Sequence, residues 1–67
     1  MGPNSRPESS IRSARLKRGM TQARLAVEIG YSLSYLATVE REPQLLRNGM
    51  AERLAKVFGI PVEDLRP

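Results

Sequence analysis

The sequence predicts an all-α fold, a compact bundle of about five short helices. Three observations predict it. Apolar residues recur at the three-and-four spacing of helices, and no stretch alternates as a strand would. Hydroxyl and proline starts and glycine stops punctuate the chain at helix-length intervals. Sixty-seven residues, 40% of them apolar, suffice for one small domain and no more.

The elements follow in order. Ser5-Arg6-Pro7-Glu8 reads as a capping box, with Pro7 in the first turn, where its missing N–H is no loss. Residues 1–5 read as a flexible N-terminal tail or a cloning remnant, and 6–67 as the domain. Ile11 and Ala14, with Leu16 added, mark the inner side of a first helix that Lys17, Arg18 and Gly19 bring to an end. Thr21 is the natural N-cap of a second helix, with Leu25, Ala26 and Ile29 on one face and Gly30 as its stop. Ser32 caps a third helix running to about Arg41. At 100° per residue Leu36 and Val39 share a side flanked by Ser32 and Glu40, whereas Ser34, Thr38 and Arg41 face the other way with Ala37 beside them. Residues 42–47 form a loop around Pro43. Asn48 is the expected cap of a fourth helix carrying Met50, Ala51, Leu54, Ala55 and Phe58, stopped by Gly59. Pro61 opens a short fifth turn with Val62 and Leu65 facing in.

Composition excludes whole classes of chemistry. Cysteine, histidine and tryptophan are absent, which removes disulfide scaffolds, thiolate or imidazole zinc sites and any triad with a histidine base. Asp64 and six glutamates remain, and they form no catalytic pair: Glu40 and Glu42 end a helix, and Glu63-Asp64 suits a helix dipole. An enzyme is not expected, nor a cofactor or a metal. The chain has no apolar run long enough to span a membrane, and Met1 to Ser5 lack the apolar stretch of a signal peptide. Residues 1–18 carry the whole net charge of +4, and residues 19–67 sum to zero. A basic end on a neutral body suggests a surface that meets a polyanion; a solvated basic helix face is the plain alternative.

Residues 22–41, QARLAVEIGYSLSYLATVER, resemble the helix-turn-helix of the Cro/repressor (XRE-like) family of DNA-binding regulators. Leu25, Ile29, Tyr31, Leu36 and Val39 fall on that motif's apolar slots, Ala26 on its small-residue slot and Gly30 on its turn glycine. Each slot has a physical reason: Ala26 lets two helices cross closely, Gly30 permits the tight turn, and the apolar residues fix the crossing angle. Arg18-Gly19-Met20-Thr21-Gln22 before the motif and Phe58-Gly59-Ile60-Pro61 after it extend the resemblance over roughly residues 8–65.

The resemblance implies a lambda-repressor-like domain whose third helix lies in the DNA major groove. It implies a sequence-specific, double-stranded DNA-binding transcriptional regulator, expected to repress, in the cytoplasm of a bacterial or phage-infected cell. A single small module covers little DNA, so a homodimer on a two-fold symmetric operator is expected. Base contacts are expected from Ser32, Leu33, Ser34 and Thr38, and phosphate contacts from Gln22, Arg24 and Arg41. Tyr35 is expected either to reach a phosphate or only to pack. Arg15 and Glu40 match positions that form a structural ion pair in some members.

Four positions depart from the family pattern. Arg24 stands where an acidic residue often completes a capping box, Leu33 replaces a long base-reading side chain, and Tyr31 fills an aliphatic slot. Leu45 and Leu46 occupy a loop that is normally polar, and either tuck under the fourth helix or mark a partner surface. The alternative function is a protein-interaction module on the same fold, such as the antitoxin of a toxin–antitoxin pair. RNA binding is a weaker rival, because Tyr31, Tyr35 and Phe58 make a poor stacking platform.

Overall fold

The computed structural model describes residues 10–65. Four α-helices, α1 (Ser10–Lys17), α2 (Gln22–Ile29), α3 (Leu33–Arg41) and α4 (Asn48–Phe58), are joined by short turns. Two 3-10 turns, Pro43–Leu45 and Val62–Leu65, follow α3 and α4, and the described residues contain no strand. Among the described residues, the expected five helices are four plus a closing 3-10 turn: the segment after Pro61 is too short to propagate an α-helix. The capping box at Ser5 to Glu8 and the tail at 1–5 lie outside the described residues.

Local chemistry sets most of the boundaries. The Thr21 hydroxyl accepts from the backbone N–H of Arg24 (3.0 Å) and the Ser32 hydroxyl from that of Tyr35 (3.1 Å), so each satisfies an orphan donor at a helix start. Gly30 and Gly59 end α2 and α4 in the left-handed conformation, with φ of 76° and 71°. The start of α4 differs by one position from expectation. Asn48 is its first helical residue, and Arg47 holds the cap position without a side-chain cap bond, its carbonyl accepting from Ala51 N–H (2.9 Å).

The core lies where α2 packs against both α3 and α4, with α1 and the last 3-10 turn closing it from the α4 side. Leu25, Ile29, Leu36, Val39, Met50 and Leu54 are fully buried there, and Ala26 keeps the approach to α2 close. One expectation fails and another is met by half. Leu16 is 48% exposed, and Arg15 takes the inner position instead. Arg15 lies four residues after Ile11, one turn along the same face, whereas Leu16 is turned well away. Leu46 joins the core, but Leu45 stays exposed, because the 3-10 turn points adjacent residues in different directions. The pair is thus divided between core and surface.

Candidate nucleic-acid interface

The two sides of α3 differ completely. Leu36 and Val39 are sealed in the core, while Leu33 (47% exposed), Ser34 and Arg41 face solvent with Ala37 and Thr38 partly covered beside them. Ser32 is exposed at the helix start. Its oxygen is engaged as the cap, which leaves its O–H as the free donor. Tyr35 is partly buried against the core, and its ring lies 5.7 Å from that of Tyr31, tilted by 37°. This places packing contacts on the Tyr35 ring.

A buried polar cluster fixes α3 to the two helices before it. Arg15 Nε donates to Glu40 Oε2 (2.7 Å), and Nη2 donates to Oε1 (3.0 Å), a bidentate pair with both side chains almost fully covered. Arg15 Nη1 also donates to the Met20 carbonyl (2.8 Å) in the link between α1 and α2. Glu40 Oε1 accepts a further bond from Gln22 Nε2 (3.0 Å). That amide has two N–H groups, so the second remains for another acceptor at the start of α2. Gln22, half-buried and tied to α3, is thus held in one orientation.

Arg24, exposed in the first turn of α2, has its own partner: its Nε donates to Glu28 Oε2 at 2.9 Å, one turn on. A cation in a first turn opposes the helix dipole, and this order of charges is the weaker i,i+4 arrangement. In the free protein Glu28 offsets that cost.

Two further arginines serve the fold. Arg53, on α4, donates from Nη1 to the Ile29 carbonyl at the end of α2 (2.9 Å) and lies 5.7 Å from the Tyr31 ring centroid. Arg18 donates to the Ala14 carbonyl (2.8 Å) and to the Phe58 carbonyl at the end of α4 (2.6 Å), with its guanidinium 4.9 Å over the Phe58 ring. The bonds from Arg18 to Phe58 and from Arg53 to Ile29 have no signature in the sequence, since they join residues 24 or more apart, whereas the bond from Arg18 to Ala14 is the local one expected of a cation at a helix end. The pair of Arg15 with Glu40, by contrast, is the one that the family resemblance implies, and the structure contains it. These bonds also narrow the supply of cations for a polyanion. Arg15 and Arg18 belong to the basic N-terminal segment, yet both are engaged within the domain.

Caps, turn glycine, close crossing and two-sided third helix together make a helix-turn-helix. A helix-turn-helix family model of the XRE type matches residues 11–65. The chain belongs to this family. XRE-type helix-turn-helix proteins are DNA-binding transcription regulators, and the family is not an enzymatic one. No curated protein and no solved structure matches the chain. Among the described residues, no helix of this XRE-type domain is long and apolar enough to cross a membrane, and no carboxylate group is clustered to hold a metal ion.

Proposed function

We propose that this XRE-type domain is a sequence-specific repressor that binds a two-fold symmetric operator as a homodimer, with α3 in the major groove. The observation that carries the reading is the division of α3: Leu36 and Val39 anchor one side, and Leu33, Ser34 and Arg41 are exposed on the other with Thr38 partly covered beside them. In the proposed complex Ser32, Leu33, Ser34 and Thr38 meet base edges. Gln22, Arg24 and Arg41 meet phosphates on either side, with the Tyr35 hydroxyl beside them. The spare N–H of Gln22, oriented by Glu40, and the positive end of the α2 dipole support an anion at that place.

A module of this size covers about 600–1,000 Å² on DNA, which is why a second copy is part of the proposal. Occlusion of a promoter needs no surface beyond the DNA-binding one, which favours repression over activation. The protein-docking alternative has lost half of its apolar loop pair to the core, since Leu46 is only 9% exposed.

The test is selection from random duplex DNA followed by titration at several salt concentrations. Enrichment of one palindromic sequence, and affinity that falls steeply with salt, are the expected results. Transcription in vitro from a promoter carrying the selected sequence should fall on addition of the protein. Failure to enrich any sequence overturns the proposal.

A further inference from the structure

The outward arc of α3 lacks the side chains that read bases by paired hydrogen bonds. Residues 33–40 include no Asn, Gln, Lys or Arg, and their one carboxylate, Glu40, is buried against Arg15 and Gln22. The only side chain on α3 with paired N–H donors is that of Arg41, its last residue. At 1.5 Å per residue it lies about 12 Å along the axis from Leu33, away from the end where helix-turn-helix proteins touch base edges.

What the arc does carry is methyl groups. Leu33 is a half-exposed leucine in the first turn, and Ala37 and Thr38 follow one turn later, both partly accessible. Leu33 and Ala37 are four apart, as are Ser34 and Thr38, so the residues stack as two short rows on one side of the helix. The hydroxyls of Ser34 and Thr38 donate or accept and so tolerate any base edge. The thymine C5 methyl is the one apolar group that a base presents in the major groove.

We infer that the domain selects thymine-rich half-sites by packing thymine C5 methyls against Leu33, Ala37 and Thr38, with Leu33 as the main specificity-determining residue. This rests on the proposed placement of α3 in the major groove. An exposed leucine gains by leaving water, and the ligand that offers it an apolar surface in that groove is thymine.

The experiment starts from duplexes selected by the protein itself, with each thymine then replaced in turn by deoxyuridine. That change deletes the methyl and leaves the hydrogen-bonding edge intact. The selected half-site should be thymine-rich, and each contacted methyl should be worth about fourfold in affinity. Leu33→Ala should bind the thymine and deoxyuridine forms equally at the position it faces, and Thr38→Ser should do the same at its own. Both positions lie outside the sealed core, and circular dichroism of the variants checks that they remain folded. If deoxyuridine costs nothing at any position while sequence-selective, salt-sensitive binding persists, the thymine reading is overturned and the repressor reading stands. A deoxyuridine penalty undiminished in both variants likewise overturns the assignment to these residues. Absence of any sequence preference overturns both readings.

Discussion

Arg15 and Glu40 are charged, yet each is only 7% exposed, and every polar atom of the pair finds a partner. A buried pair of this kind adds little net stability, but removing one member strands the other as an unpaired charge. Arg15→Met or Glu40→Leu alone should each cost about 3 kcal/mol or more, close to the whole stability of so small a domain. The double variant, which leaves no charge behind, should recover most of that loss in urea denaturation. Equal losses in all three proteins would argue against the coupling. Arg24 makes the opposite case. Its exposed pair with Glu28 is worth at most about 1 kcal/mol, so Arg24→Glu should alter stability little. Its DNA affinity should nonetheless fall, with the difference shrinking at high salt; unchanged affinity would remove Arg24 from the interface.

At the scale of the helices, the termini are where single residues decide stability. Thr21→Ala and Ser32→Ala each leave an uncapped donor, and each should cost about 1 kcal/mol in thermal or chemical unfolding. The two turn glycines separate backbone strain from crowding. Both have positive φ, so alanine at either is strained by about 1–2 kcal/mol. A Cβ at Gly59 meets open space, whereas one at Gly30 comes within 3.0 Å of Arg53 Nη1. Gly30→Ala should therefore be the more damaging, and the excess should vanish in an Arg53→Ala background, where that guanidinium is gone. A double-mutant cycle measures this directly.

These termini were also the part of the fold most legible in the sequence. Threonine, serine and glycine act on backbone groups within a few residues of themselves, so Thr21, Ser32, Gly30 and Gly59 declare their roles locally. The core positions were readable because helical periodicity is equally local. The resemblance supplied the pair of Arg15 with Glu40, but two other long-range partners could not be read: Arg18 to Phe58 and Arg53 to Ile29 depend on how helices meet. Leu16 misled for the reverse reason. Its apolar character suggested burial, while its angular position denied it. For the candidate interface, the outward residues of α3 were legible as a set, but the bond from Gln22 to Glu40 was not, because it exists only once α2 and α3 are packed.

Across the whole molecule, cations divide between holding the fold and meeting a polyanion. Arg18 is bound to two carbonyls and an aromatic ring, so Arg18→Ala should lower stability by about 1–2 kcal/mol without changing the salt dependence of DNA binding. Arg41, exposed at the end of α3, should behave inversely. Arg41→Ala should leave the unfolding midpoint nearly unchanged and reduce the slope of log affinity against log salt by about one. A variant pair in which the two effects changed places would show that the division has been drawn wrongly.

The outward side of α3 does almost none of the work of folding. Leu33 and Ser34 are exposed and Ala37 is only partly covered, while Leu36 and Val39 keep the helix in place. On the proposed reading, target preference and thermodynamic stability are written in separate letters of the same nine-residue helix. Such a scaffold is free to drift from one recognition site to another during evolution without passing through unfolded intermediates, and a laboratory library confined to those three positions would yield folded members with altered preferences.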